Sequence, residues 1–416
     1  MTANIDNLRK ENDLIDLFCT LVQIPSPSGE EENVSAKIVE ILTSAGIEAK
    51  EDQFKNVIAK LSATDPSKKP LLLSAHMDVV GDASDVNIRI SECGRFIETD
   101  KTRPLGADDK VGVSAAMYLA MYLKNHPEIK HGGLELVFTR DEEQNMTGIH
   151  NVKFDEIDSE YVMVLDADKL GQIQISGASY TNGTLIVNAF KGGHSGIDIG
   201  DTTRVNAVKL IGELIAQIPQ GEYKRDEYGT VTSINIGSVI GGGVEPVIQK
   251  IAQKQIETQS YIEYVANNSL TNIINTKAIA KYSIRSSEEA NEQQLINDIK
   301  TIVEEFNKKY EGLALAEFIA KSKMKAFEKS GDETIQKVCV QACENTGIKG
   351  EVSSFHAGAE THIYAHEKNK HNQVFKPYLI GLADIYNMHS SNEMVEIESF
   401  LKGYEFLKES FLIFNK

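Results

Sequence analysis

The sequence is poor in three features that would mark particular classes of protein: clustered positive charge, cysteine and long apolar runs. Its 416 residues carry 43 Lys and Arg against 61 Asp and Glu, a formal net charge of −18. Because a phosphate-binding surface needs clustered Lys and Arg, this balance argues against nucleic acid or an anionic membrane as a partner. No apolar run approaches a membrane-spanning length and the first residues contain no apolar signal core, so we expect a cytoplasmic protein.

The four cysteines are scattered along the chain. Cys339 and Cys343 lie one helical turn apart, a spacing that suits a helix face as well as a metal pair. No other Cys or His lies near enough in the sequence to complete a zinc finger. We therefore predict reduced, structural thiols.

The length and the pattern of elements predict two domains. Residues 4–23 predict one amphipathic helix, and strands then alternate with helices, which predicts an α/β domain with a mostly parallel sheet and helices on both faces. Four strands and two helices in the order β-α-β-β-α-β follow, predicting an inserted α+β, ferredoxin-like domain. We expect an α/β domain of residues 1–180 and 326–416 and an inserted domain of residues 181–325.

Acidic residues and one histidine follow the buried strands of the first domain. His76 ends the strand LLLSAH, and Asp78 points to the same side, where it can bind one imidazole nitrogen and leave the other for a metal. Glu142 and Glu143 follow the next apolar strand, and Asp166 follows the third. Each motif alone fits a buried histidine or a solvated turn. Together they indicate a site, because functional groups gather beyond the carboxyl ends of parallel strands.

Six motifs occur in an order that resembles a known family. They are HMDVV at 76–80, GADDKVG at 106–112, TRDEEQNMTG at 139–148, VLDAD at 164–168, KGGHSG at 191–196 and NMHS at 387–390. The set resembles the co-catalytic di-zinc exopeptidases related to peptidase T, cytosolic dipeptidase, carboxypeptidase G and acetylornithine deacetylase. The likeness spans nearly the whole chain, and the chain length is most similar to peptidase T.

The resemblance implies two divalent metal ions, with zinc expected and cobalt or manganese also suited to the ligands. It makes His76, Asp108 and Asp166 the ligands of one metal. It makes Asp108, Glu143 and His389 the ligands of the other, so that Asp108 bridges. Two cations about 3.5–4 Å apart can clamp the attacking oxygen and the carbonyl oxygen of an amide.

The resemblance also implies the catalytic roles around the metals. Asp78 orients His76, and Glu142 is the general base that takes a proton from the metal-bridging water and passes it to the leaving amine. The peptide bond after the bridging aspartate, Asp108–Asp109, is expected to be cis, as is typical of this family.

For the inserted domain the resemblance implies a lid and a dimer contact. His194, in GGHSG, becomes a donor to the oxyanion, often supplied by the partner's lid in a homodimer; its alternative is a loop histidine. Asn272 and Arg285 become the residues that hold the substrate backbone and carboxylate. An ordinary surface residue is the alternative for Arg285.

A second group of histidines lies near residue 360. We interpret His356, together with Glu360, as a wall of the substrate pocket. We interpret His362, His366 and His371 as surface positions and not as a further metal site.

Three segments differ from the family pattern. Asn275 stands where a proline is usual, and the loop of residues 358–361 differs from the Gly-Gly-Thr-Asp-like loop of peptidase T relatives. Residues 244–270 predict an extra helical excursion, which could cap the cleft, extend the dimer contact or decorate the surface.

Together these features predict a metal-dependent exopeptidase that hydrolyses short peptides, as an aminopeptidase acting on di- or tripeptides. A deacylase acting on N-acyl amino acids with the same two-metal site is the first alternative. A non-catalytic binding protein that retains the fold is the second. Preference for dipeptides or tripeptides, the physiological metal and the oligomeric state stay open.

Overall fold

The computed structural model describes residues 4–253 and 260–416. The chain divides into a main unit, Met1–Gly177 with Phe327–Lys416, and an inserted unit, Ala178–Ala326. The first segment of the main unit contains α1 (Ile5–Glu11), α2 (Asp13–Val22), α3 (Glu32–Ser44), β1 (Glu48–Glu51), β2 (Val57–Leu61), β3 (Leu71–His76), β4 (Ile88–Ile90), β5 (Phe96–Thr99), α4 (Ala107–Asn125), β6 (Leu134–Thr139), β7 (Tyr161–Ala167) and β8 (Gln172–Gly177).

The inserted unit and the second segment of the main unit follow. The inserted unit contains β9 (Tyr180–Ala189), β10 (Gly193–His194), α5 (Ala207–Ile215), β11 (Gly221–Asp226), β12 (Gly229–Gly241), α6 (Glu245–Ala252), α7 (Tyr261–Asn268), β13 (Ile273–Ile274), β14 (Lys277–Ser286), α8 (Glu289–Lys309) and β15 (Ala314–Met324). The main unit then continues with α9 (Thr334–Thr346), β16 (Glu351–Phe355), α10 (Thr361–Tyr364), β17 (Lys376–Gly381), β18 (Ile385–Tyr386), β19 (Met394–Glu396) and α11 (Ile397–Phe414).

An eight-stranded sheet organises the main unit, with strand order β1-β2-β6-β3-β7-β17-β8-β16. Its four central strands, β6, β3, β7 and β17, are parallel to one another. Every residue of β3 and β6 is buried, as expected for strands covered on both faces. The prediction of a mostly parallel sheet is confirmed, and the carboxyl ends of β6, β3 and β7 therefore lie side by side.

Different elements cover the two faces of this sheet. Leu72, Val137 and Val162 belong to a buried cluster that also contains Phe154 and Tyr364. Since side chains alternate along a strand, Leu71, Leu73 and Ala75 face the other way, and α4 contacts β3 and β7. The predicted layers, with helices on both faces, are present.

The first helix was predicted wrongly as one continuous element. Asn12 has extended backbone angles (φ −145°, ψ 109°) between α1 and α2. Its side chain accepts a hydrogen bond from the N–H of Ile15 at 3.1 Å and so caps α2. Asparagine favours this local bond over helical geometry, so the amphipathic stretch breaks there.

The inserted unit has one more long strand than predicted. Its sheet has the order β11-β12-β14-β9-β15, and β11 is the strand that the sequence pattern missed. Four of the six residues of β11 are charged and most are exposed, so the strand lacks the apolar alternation that marks a strand in the sequence. Helices α5 and α8 contribute Leu210, Leu214 and Ile299 to the buried cluster against this sheet.

The predicted helical excursion at residues 244–270 contains α6 and α7. Its residues 254–259 lie outside the described residues. Within the described ranges, no helix combines the length and apolar character needed to cross a membrane.

The close approach of α11 to the sheet generates a prediction. A Cβ on Gly403 would overlap the backbone carbonyl of Leu382, whereas a Cβ on Gly212 in α5 would meet nothing within 4 Å. We expect Gly403→Ala to lower the free energy of unfolding by roughly 1–3 kcal/mol through overpacking. Gly212→Ala should raise it by up to about 1 kcal/mol, because alanine favours a helix. Urea unfolding followed by circular dichroism measures both, and equal effects would contradict the close contact.

Candidate metal centre

The residues predicted as metal ligands meet beyond the carboxyl ends of the central strands. His76 closes β3, and its Nε2 lies 3.1 Å from Asp108 Oδ1 and 3.5 Å from Asp166 Oδ1. His389 comes from the loop before β19, and its Nε2 lies 3.1 Å from both Asp108 Oδ2 and Glu143 Oε2. Within each of the two groups the potential ligand atoms all lie within 4.8 Å of one another.

Asp108 is shared by both groups. Its Oδ1 faces His76 and its Oδ2 faces His389, so each oxygen serves a different set of potential ligands. The peptide bond between Asp108 and Asp109 is cis, as predicted. This arrangement is the one expected of a carboxylate that bridges two metal ions.

The electrostatics of these residues test whether they fit cations. Burial and the neighbouring Asp108 raise the pKa of Asp166 to about 8. The hydrogen bond to Asp108 raises the pKa of His389 to about 9. Glu143 Oε1 is buried and has no hydrogen-bond partner among the described residues. Imidazole nitrogens and carboxylate oxygens in negative excess are suitable ligands for Zn²⁺ and similar ions, so the residues present fit two divalent metals.

Asp78 contacts two parts of the site. The Nδ1 of His76 lies 3.1 Å from the backbone carbonyl of Asp78 and 3.4 Å from its Oδ1. The same carboxylate accepts hydrogen bonds from the N–H groups of Glu142 (2.9 Å) and Glu143 (3.2 Å) and from Ser28 Oγ (2.7 Å). Burial alone would raise the pKa of Asp78, but the bonds to His76 and Ser28 outweigh burial and keep the pKa below its usual range. Asp78 therefore connects His76 to the turn that carries Glu142 and Glu143, called the acidic turn below.

Glu142 lies next to the ligand group with a partly buried side chain. Burial, with the nearby carboxylates of Asp166 and Glu360, raises the pKa of Glu142 well above its ordinary value, although His76 opposes the shift. In these surroundings Glu142 therefore retains its proton more readily than a free glutamate does.

Sequence reasoning missed Glu31, which contacts the start of the acidic turn at Arg140 and Asp141. This fully buried carboxylate accepts hydrogen bonds from the N–H of Gly29 (2.7 Å) and of Asp141 (3.0 Å). It also pairs with the guanidinium of Arg140 at 2.8 Å. The surrounding segment, PSPSGEE, has the composition of an ordinary turn, so nothing in its residue types distinguished it from a connection.

Sequence reasoning also missed Glu393, four residues after His389. Its buried carboxylate accepts hydrogen bonds from the N–H groups of Gly106 (2.7 Å) and Asp108 (3.1 Å) at the start of α4. Burial raises the pKa of Glu393 to about 7. The one available signal was its position in the same loop as His389.

The three residues of the inserted unit that were predicted to belong to the site lie in two separate places. His194 is exposed and pairs with Ile273 in the β10–β13 ribbon, and the N–H of Ser195 donates to the carbonyl of Asn272 at 3.0 Å. Arg285 is half-buried near the opposite end of β14, with its guanidinium 4.8 Å from the centre of the Tyr180 ring. Eight residue steps along β14, or about 26 Å, separate Lys277 at the start of the strand from Arg285. One copy of the unit therefore keeps Arg285 apart from His194 and Asn272.

The histidines of the second group, near residue 360, differ in their exposure to solvent. His356 follows β16 and is partly buried. His362 was predicted to lie on the surface, and this prediction is wrong, since the side chain is 1% exposed and its Nδ1 lies 2.9 Å from the carbonyl of Ala359. A Cβ on Gly177 would overlap the imidazole, so a glycine distant in sequence provides the space. His366 and His371 are exposed, as predicted.

The fold and these contacts define an α/β protein with two histidine–carboxylate groups that share one carboxylate and that could each hold a metal ion. The chain belongs to peptidase family M20/M25/M40, whose family model matches residues 72–412.

Curated relatives support the same family. A peptidase T from Listeria innocua is 28% identical over 230 residues, which cover 48% of this chain and 55% of that protein. An uncharacterised Bacillus subtilis protein, YqjE, is 28% identical over 241 residues, which cover 56% of this chain and 62% of that protein. The chain thus spans less than two thirds of the length of these two relatives.

Solved structures are similar over almost the whole chain. The aminopeptidase PepT of Bacillus cereus superposes with a TM-score of 0.77 at 22% identity, covering 97% of this chain and 98% of that one. A dinuclear metal-binding peptidase of Bacillus subtilis, YXEP, gives a TM-score of 0.64 at 14% identity, with the same two coverages. At these identities the likeness establishes the shared fold.

The buried carboxyl of Glu360 generates a pH prediction for metal-free protein. Burial raises the pKa of Glu360 from 4.5 to about 7, and Ser74 Oγ donates to its Oε2 at 3.2 Å. Since the folded state binds this proton more tightly, the resulting stability is present below about pH 4.5 and is lost as the pH rises through 7. The Glu360→Gln variant lacks this titration. We expect the melting temperature of the wild type to fall relative to that of the variant between about pH 5 and 7, whereas a constant difference would contradict the shift.

Proposed function

We propose that the protein is a two-metal exopeptidase that hydrolyses the amide bond of short peptides, as an aminopeptidase acting on di- or tripeptides. The observation that carries this proposal is the carboxylate of Asp108 between His76 and His389, with Glu142 beside the ligand group. His76, Asp108 and Asp166 would hold one metal, and Asp108, Glu143 and His389 the other. We expect zinc, and cobalt or manganese also suit these ligands.

Divalent cations held by these residues would supply Lewis acidity, which would polarise the peptide carbonyl and lower the pKa of the attacking water. Glu142 accepts the proton of that water and donates it to the leaving amine. Asp78 keeps Glu142 in place through the N–H of that residue, and it also faces the imidazole of His76.

The inserted unit would act as a lid and a dimerisation domain. In the proposed homodimer, one copy supplies His194 to the oxyanion and Asn272 to the substrate backbone in the cleft of the other copy. Arg285 would bind the terminal carboxylate of the peptide. The separation of about 26 Å along β14, between Arg285 and the strand end next to the β10–β13 ribbon, supports a second copy, since one unit does not gather all three residues.

The main unit is the catalytic domain, and His356 with Glu360 forms a wall of the substrate pocket. Short peptides are the partners, with no role for nucleic acid or membranes, and the location is cytoplasmic.

A substrate panel tests the activity. Purified protein loaded with Zn²⁺ or Co²⁺ is assayed with Ala-Ala, Ala-Ala-Ala and the same peptides N-acetylated, alongside N-acetylalanine. We expect hydrolysis of the free peptides only, with activity lost on chelation and restored by metal. Turnover of the N-acetylated amino acid alone would establish the deacylase alternative, and turnover of none of these substrates would favour a binding protein.

Replacement of the general base separates chemistry from metal binding. Glu142→Ala should lower kcat about 10²- to 10⁴-fold, because proton transfer is lost, while the metal content measured by mass spectrometry stays near two ions per chain. Glu92→Ala, at an exposed position of the main unit, is the matched control. A fully active Glu142→Ala protein would refute the assignment of the base.

A further inference from the structure

Lys110 is a fully buried lysine in the first turn of α4, two residues after Asp108. Among residues 4–253 and 260–416, none of the ion pairs closer than 4.0 Å includes it. Burying an ammonium group costs free energy unless its donors are satisfied, so its hydrogen bonds require an explanation.

Lys110 donates to the carbonyl of Met77 and to a hydroxyl group that itself donates to this carbonyl. Its Nζ donates to the carbonyl of Met77 and, at 2.9 Å, to the hydroxyl of Ser26. The hydroxyl of Ser26 donates to the same carbonyl at 3.0 Å. The three groups therefore form a closed set in which every member contacts the other two.

Met77 stands between His76 and Asp78. Its carbonyl belongs to the peptide that joins it to Asp78, and its N–H donates to Thr139 at 2.8 Å. A fixed peptide at this position sets the direction of the side chains on both sides. The bond from Lys110 therefore joins the end of β3 to the start of α4, the two segments that carry His76 and Asp108.

The turn before α3 also contacts the chain just after β3. The N–H of Val79 donates to the carbonyl of Ser26 at 3.0 Å, and Pro27 forms a parallel bridge with Val79. Ser26 is 2% exposed. The chain just after the candidate ligand His76 is thus held from one side by the Ser26 turn and from α4 by Lys110.

We infer that Lys110 is a positioning residue for the metal centre: its ammonium group locks the Met77 peptide, so that His76 and Asp78 are already aligned with Asp108 before metal binds. This inference rests on the proposed function, because it assumes that these residues bind metal. A preorganised ligand set binds metal more tightly than one that must order on binding, and supporting residues around metal ligands affect affinity roughly 10- to 100-fold.

Metal affinity tests the inference directly. Full-chain protein freed of metal is titrated with Zn²⁺ in competition with a chromophoric chelator, and Co²⁺ absorption reports the ligand geometry. We expect Lys110→Met to weaken Zn²⁺ binding roughly 10- to 100-fold and to change the Co²⁺ spectrum, with circular dichroism unaltered. Lys124→Met, at an exposed position of the same helix, should leave both unchanged.

A second variant covers the case in which Lys110→Met does not fold. Ser26→Ala keeps the lysine but removes one member of the set, and it should weaken Zn²⁺ binding about fivefold. Affinity unchanged from the wild type in the folded variants would overturn the inference about Lys110. Wild-type protein that binds no Zn²⁺ would instead overturn the metal centre, and the inference with it.

Discussion

The structure depends on a concentration of wholly or partly buried carboxylates between two histidines. Asp108 lies at the centre, with Asp166 on one side and Glu143 on the other, and like charges at this spacing repel strongly in a buried site. Protons can reduce this repulsion, as the raised pKa of Asp166 indicates, but divalent cations offset it more completely. The parallel sheet brings these groups together because its central strands end at the same edge.

Other carboxylates nearby serve the backbone. Asp78, Glu31 and Glu393 accept hydrogen bonds from main-chain N–H groups of the segments that carry Glu143 and Asp108. An acceptor that is bonded in this way is stabilised without a metal. Carboxylates in this region therefore either face the histidines or accept hydrogen bonds from the backbone. The contacts of each side chain decide which of these two roles it has.

Much of the candidate site could be predicted from the sequence, because most of its residues lie in short motifs that directly follow apolar strands. His76 and Asp78 follow an apolar strand, and Glu142 with Glu143 follow another, so their position beyond the sheet could be inferred from local pattern. Glu31 could not be recognised, since its partners Asp141 and Arg140 lie 110 and 109 residues away in the chain. His362 was misplaced for the same reason, because the space for its ring comes from Gly177.

The sequence by itself determined the alternation of strands and helices in the main unit, the parallel sheet and the family resemblance, because these depend on local periodicity and motif order. Only the tertiary structure decided which carboxylates face the histidines and which face the backbone. It also decided that Arg285 lies at the other end of the inserted sheet from His194. Such choices depend on contacts between distant segments, and the direction of a side chain is set by neighbours that local sequence does not contain.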